Sequence, residues 1–364
     1  MKFLVLLSTL LACFAHANVQ FNNQEIVFMK QFYVKQGEQL TLSKTQQRLE
    51  TLYFHLALAK QKAPTLLERA SSVGFSTNYH KKRYMISLLD NRSAKVSAPS
   101  ITLTSTKLKQ LLGNYPHNGI ATTQLLAKLT QPLTTSYTLA DAYNDASMQA
   151  RFNLHQGDIK QLAELVKVEA HYQTVKQQHQ NPNIRWPVLE SLSTSQAITP
   201  ALLNYLGVKA SMHNESPYLD SLKQQISAPE IAKYYQQNKQ QFRYSSEVTA
   251  ASLSFSSHEA AQTAYKNNAL SQQLNSKKTV VKRNSLNNNF VNQAAFNLSI
   301  KQGPTLLRTP KNQWVIIQVF DKKYDYYPEN SETVVYQAKT SLATTLAKKQ
   351  YATAKNQWLK DGQL

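Results

Sequence analysis

The side chains best suited to chemistry are few and scattered. Glu169, His171 and His179 are of types that bind divalent metals, and the two histidines stand eight apart on an expected helix. A metal site needs three or four ligands converging on one point. No H-E-x-x-H or equivalent spacing completes this set, so no metal is expected. His258 has the imidazole of a general base, but it follows Ser256-Ser257 at an expected helix start, which makes it an exposed first-turn residue. Cys13 is the only cysteine. The motifs G-x-x-x-x-G-K-S/T, G-x-G-x-x-G and G-x-S-x-G are absent. Eight glycines in 364 residues leave little material for phosphate-cradling loops or a turn-dense all-β fold. No cofactor is expected.

The N-terminus narrows the compartment. Met1-Lys2 is a short positive start, Phe3 to Phe14 is apolar except for Ser8 and Thr9, and Ala15-His16-Ala17 is a small-x-small site. Residues 1–17 therefore read as a signal peptide, with an apolar run too short to stay in a bilayer as a spanning helix. Leu10-Leu11-Ala12-Cys13 is close to a lipobox, so processing at Cys13 to a membrane-anchored lipoprotein is the competing outcome. Cleavage after Ala17 leaves a mature chain without cysteine, which excludes disulfides, thiolate nucleophiles and zinc ribbons. The expected location is the periplasm.

Lysine and arginine number 41 against 21 aspartates and glutamates, a formal charge of +20. In an exported protein this points to solubility, or to an anionic membrane surface, acidic envelope polymers or acidic clients. The basic residues are scattered apart from Lys81-Lys82-Arg83 and Lys277-Lys278, neither interleaved with aromatics as a nucleic-acid platform is. No nucleic-acid partner is expected.

The elements that would position any site are mostly helical in the first half. Lys44 to Lys62 sets Leu49, Leu52, Tyr53, Leu56 and Leu58 on a stripe that stops before Pro64. Leu66 to Val73, Thr122 to Leu129, Ala140 to Phe152 and Asp158 to Gln178 continue the helical pattern. Loops are expected at 97–100, 114–119 and 180–187. Ser227-Ala228-Pro229-Glu230 is a capping box with proline in the first turn, followed by Ile231, Tyr235 and Phe242. The period then changes. Val248 to Phe255 suits a strand, Ser256 to Glu259 restarts a helix, and Gly303 to Pro310 is a loop with a short strand. Trp314 to Phe320 is an apolar run fit for a strand buried on both faces, with Trp314 in the core. Ser331 to Leu359 is a long helix. Tyr324, Tyr326 and Tyr327 suit either adaptable peptide contacts or a hinge before that helix.

These segments, taken in order, carry a resemblance. The stretch Ile231 to Phe242, the strand start at Glu247-Val248-Thr249-Ala250, Ala294-Ala295-Phe296-Asn297-Leu298 with Gly303, and the strand from Trp314 to Val319 after Thr309 resemble the parvulin-type peptidyl-prolyl isomerases. The flanking helices resemble those of SurA-like and PrsA-like exported chaperones. The resemblance spans about Ser227 to Lys322 and implies an α+β architecture. That architecture has a signal peptide (1–17), a helical chaperone-like region (18–226), a connecting helix (227–245), a small parvulin-like domain with a short antiparallel sheet (246–323) and a long C-terminal helix (324–364) packing on the N-terminal module. Segments near residues 250 and 317 must then share a sheet.

The departures from the family bear on activity. Active parvulins carry one histidine in the first strand and one in the last; the aligned positions here hold Ser252 and Val315. Prolyl isomerisation has an uncatalysed barrier of ~18–20 kcal/mol, lowered by binding the twisted amide better than either planar form. Ser252 offers one weak hydrogen bond and Val315 none. The resemblance thus implies a degenerate pocket of Ser252, Phe290, Phe296 and Val315 that binds proline-containing segments with little turnover. The expected function is a periplasmic folding chaperone for unfolded or nascent secreted and outer-membrane proteins. An active isomerase, or a structural component of an envelope export or polysaccharide apparatus, is the alternative.

Overall fold

The computed structural model describes residues 21–89, 100–117, 119–209, 216–286 and 289–361. The expected signal peptide, Cys13 and residues 97–99 of the expected loop at 97–100 lie outside them. The fold is α+β, mostly helical, with two small antiparallel sheets and a long C-terminal helix. Contacts divide the chain into two units, Met1–Leu222 with Thr344–Leu364, and Lys223–Ala343.

The first unit holds α1 (Asn23–Lys35), α2 (Leu42–Lys62), α3 (Thr77–Leu89), α4 (Ser105–Leu112), α5 (Thr123–Lys128), a hairpin of β1 (Pro132–Thr134) and β2 (Tyr137–Thr138), α6 (Leu139–Asp145), α7 (Met148–His155), α8 (Ile159–Gln178), α9 (Trp186–Tyr205) and most of α10 (Pro217–Gln225). Side-chain caps set the starts. Thr41, Thr104, Ser147 and Asp158 each accept a backbone N–H from the first turn of α2, α4, α7 and α8, a contribution of about 1 kcal/mol apiece. Apolar stripes then bury against one another. Met29, Leu49, Met85 and Leu189 join α1, α2, α3 and α9. Leu108, Leu139, Leu154 and Leu162 join α4 and α6 to α8.

Two expected helices differ. Leu66 to Val73 forms only part of a 3-10 turn, Pro64–Leu67, before bends lead to α3. Arg69 in that stretch turns its guanidinium onto the Gly74 carbonyl and onto the Asn144 carbonyl of α6, which ties the stretch to α6. Ala140 to Phe152 is two helices, because the Ser147 hydroxyl accepts the Ala150 N–H at 3.1 Å and starts a new one. The expected loop at 180–187 ends early, since Pro187 sits in the first turn of α9, where its missing N–H costs nothing.

The second unit contains α11 (Ala228–Asn238), β3 (Arg243–Phe255), α12 (His258–Lys266), α13 (Leu270–Ser276), β4 (Thr279–Lys282), α14 (Phe290–Asn297), β5 (Thr305–Arg308) and β6 (Trp314–Tyr326). The last helix, α15 (Glu332–Asp361), is assigned to this unit up to Ala343 and to the first unit from Thr344. At the start of α11 the Glu230 carboxylate accepts from the Ser227 N–H at 2.8 Å and its hydroxyl at 2.6 Å, as the capping box requires. The four strands lie in the order β4-β3-β6-β5, all antiparallel. Ser252 pairs with Ile317, so the two segments expected to share a sheet do so. Both faces of β6 are covered. Val315, Ile317 and Val319 pack with Ala295 and Phe296 of α14, while Ile316 packs with Leu270 and Leu274 of α13. That explains an apolar run without alternation.

Candidate functional site

The four residues singled out from the sequence meet on one face of the second unit's sheet. Ser252 lies opposite Ile317 and Ser254 opposite Val315, and cross-strand partners share a face. Phe290 and Phe296 reach that face from α14, in the same apolar cluster as Val315. Their exposure separates them. Val315 is wholly buried and Phe296 nearly so, whereas Ser252 and Phe290 are half-buried. Val315 is therefore packing, not pocket lining, and a peptide reaching this face would meet Ser252 and Phe290. The polar groups nearby are cationic. Lys322 donates to the Phe296 carbonyl at 2.6 Å, and Arg283 lies 5.2 Å from the Phe296 ring centre. Burial, then the charge of Arg283, lowers the Lys322 pKa. The Ser252 and Val315 positions offer no imidazole.

A second site, absent from the sequence reading, lies in the first unit. An open groove of about 670 Å³ runs between α3 and α9. Phe75, Tyr79, His80, Arg83 and Tyr84 form one wall, and Gln196 and Ala197 contribute from α9. Phe75 and Tyr79 stack with ring centres 4.2 Å apart, giving a flat aromatic surface. Burial, followed by the charges of Arg83 and Arg69, lowers the His80 pKa and favours the neutral ring. The groove thus combines aromatic faces with one strong cation, a chemistry that accepts apolar side chains and an acidic or carbonyl oxygen.

A buried polar cluster fixes the α3 wall. Asp145 accepts from Ser76 Oγ at 2.5 Å, Tyr137 OH at 2.9 Å and Lys82 Nζ at 3.0 Å. Lys82 also meets Glu169 at 2.6 Å, and all three charged groups are buried. Ser76 Oγ in turn accepts the Tyr79 N–H at 2.9 Å, capping α3. Burial, and then the charge of Asp145, raises the Tyr137 pKa and keeps the phenol a donor. The basic run Lys81-Lys82-Arg83 is accordingly not a patch. Lys81 approaches Glu190 at 3.6 Å, Lys82 is interior, and Arg83 faces the groove. The signal available in sequence was the four-residue spacing of Tyr79, Arg83 and Ser87, which puts them on one side of α3, with Phe75 just before that helix.

Two of the residues considered first for a metal are engaged elsewhere. Glu169 is engaged by Lys82, and His179 Nε2 lies 2.7 Å from the Ile184 carbonyl. Among the described residues no group of three or more histidine, cysteine, aspartate or glutamate side chains is placed to hold a metal ion. His258 is half-buried rather than exposed, because its ring packs 4.2 Å from Trp314. Trp314, expected in the core, is half-buried at the start of β6. No helix among the described residues is long and apolar enough to cross a membrane.

No protein-family model matches the chain, and no curated protein does. Among solved structures it is similar to one described with the virulence factor PEB4 and the periplasmic protein Cj1289, two structurally related SurA-like chaperones of Campylobacter jejuni. That likeness has 13% identity, covers 70% of this chain and 98% of the other, and has a TM-score of 0.26. At that score it carries no argument.

Proposed function

We propose that the protein is an exported folding chaperone of the SurA-like kind, with a parvulin-like domain of little or no isomerase activity. The groove between α3 and α9 holds extended, partly aromatic segments of unfolded secreted or outer-membrane proteins. The sheet face of Ser252 and Phe290 gives a further contact for proline-containing segments. Export rests on the apolar N-terminus with its Ala15-His16-Ala17 site, and processing at Cys13 would tether the protein to the membrane.

The carrying observation is the open groove itself, where stacked Phe75 and Tyr79 stand beside Arg83. Such a surface takes many apolar sequences, since aromatic faces give contact area at low entropic cost. Weak or absent catalysis follows from Val315. A wholly buried aliphatic side chain can neither donate to nor accept from a twisting amide.

The test pairs two assays on the mature chain. Light scattering measures suppression of aggregation of a urea-unfolded outer-membrane protein, and a protease-coupled proline peptide measures kcat/KM. The expected result is suppression without measurable turnover. Ala197→Trp, which fills the groove from α9, should weaken suppression at least tenfold. Unchanged suppression by that variant, or a robust kcat/KM in the parent, overturns the reading.

A further inference from the structure

We infer that the outer edge of β5 takes up an extended, acidic polypeptide segment as an added strand. β5 is terminal in the order β4-β3-β6-β5, and among the described residues its only strand partner is β6. In an antiparallel ladder alternate residues turn their N–H and C=O away from the neighbouring strand. Part of the Thr305–Arg308 backbone is thus a template for another chain.

Beside that edge lies an open groove of about 420 Å³. Tyr265 and Lys266 of α12, together with Pro304 and Leu306, line it. The Tyr265 hydroxyl donates to the Pro304 carbonyl at 3.0 Å, which fixes the ring although it is 45% exposed. An added strand would drop every second side chain toward this groove.

Charge selects the occupant. From Ala260 to Phe320 the chain carries eight lysines and arginines and no aspartate or glutamate. Exposed Lys266 and Arg308 stand at the groove and on the strand, and exposed Lys301 and Lys311 lie in the flanking segments. A second copy pairing edge to edge would bring these like charges together, which disfavours self-association. An acidic segment supplies the opposite sign and the backbone groups that complete the ladder. Nucleic acid and lipid headgroups supply only the charge. This site is separate from the α3–α9 groove and does not depend on it.

The test uses the full mature chain and a ten-residue synthetic peptide alternating glutamate and valine. Amide hydrogen exchange should show protection confined to β5 on binding. Methylating alternate peptide amides along one edge should weaken binding at least tenfold, and the double variant Lys266→Glu, Arg308→Glu should do the same. The Ala197→Trp variant should bind the peptide as the parent does, so failure here is distinguishable from failure of the chaperone reading. Equal binding of the methylated peptide, equal binding of a lysine–valine peptide, or protection at β4 instead overturns the inference. So does peptide-independent dimerisation through β5, or the same protection with phosphatidylglycerol vesicles.

Discussion

Acid should loosen the C-terminal part of α15 from the rest of the first unit, and His55 is the group that makes it do so. His55 is 4% exposed. Its Nδ1 lies 2.9 Å from Thr199 Oγ1 of α9, and its Nε2 lies 2.7 Å from the Tyr351 hydroxyl of α15. Phe54 beside it packs against Tyr351 and Trp358, with ring centres 5.5 and 6.3 Å away. Burial, then the charge of Lys355, lowers the His55 pKa from 6.5 to about 4. A histidine with a depressed folded pKa binds fewer protons folded than unfolded between those two values. Its contribution is therefore complete above pH 6.5 and is lost as pH falls toward 4. The gap is worth about 3 kcal/mol in full and about 2 kcal/mol by pH 5. Hydrogen exchange of amides from Tyr351 to Trp358, followed at pH 7 and pH 5, reads the local opening free energy. His55→Gln keeps two hydrogen-bonding positions and does not titrate, so it shares every other acid effect with the parent. The parent should lose about 2 kcal/mol more than the variant over that interval. Equal losses in the two proteins would refute the assignment of the acid sensitivity to this ring.

Lys82→Met should destabilise the first unit by about 3–5 kcal/mol in urea denaturation at neutral pH, because Asp145 and Glu169 lose their buried cation. A loss under 1 kcal/mol would mean that the neutral donors around Asp145 suffice. Val315→His should destabilise the second unit by about 3 kcal/mol, since a polar imidazole would replace a wholly buried aliphatic side chain in an apolar cluster. Ser252→His, at a half-buried position, should cost about 1 kcal/mol or less. A thermal melt of the two single variants checks the difference, and equal shifts would remove the distinction drawn between the two positions.

Local chemistry was legible along the chain. The Ser227 capping box, the stripe of α2 and the helix after Ser331 each declare themselves within about ten residues, where propensity and periodicity act. The run from Trp314 was legible as a doubly covered strand because it is short, has one polar member in seven residues and is rich in β-branched and aromatic side chains. Elements whose stability comes from distant partners were not. α9 carries Ser191, Ser193, Thr194, Ser195, Thr199 and Pro200, which argue against a helix taken alone. Packing supplies partners for three of these hydroxyls: Thr194 and Thr199 donate to carbonyls one turn back at 2.8 Å, and Ser195 donates to Leu52 of α2 at 2.5 Å.

The same distinction governs the sites. Ser252 and Val315 could be named from aligned strand positions, but their exposure could not, because it depends on where α14 settles over the sheet. A histidine at the second position would enter a cluster of aliphatic and aromatic side chains, with Ser254 as its cross-strand partner, so the change of chemistry extends from one residue to its surroundings. The α3–α9 groove was hidden for a different reason. Its walls come from residues 70–87 and 196–197, and the basic triplet at 81–83 conceals three environments under one composition. Only packing resolves them, by placing carboxylates from α6 and α8 beneath Lys82 and leaving Arg83 to face outward. An interior ion cluster thereby ties the helix that carries the aromatic wall of the groove to α6 and α8.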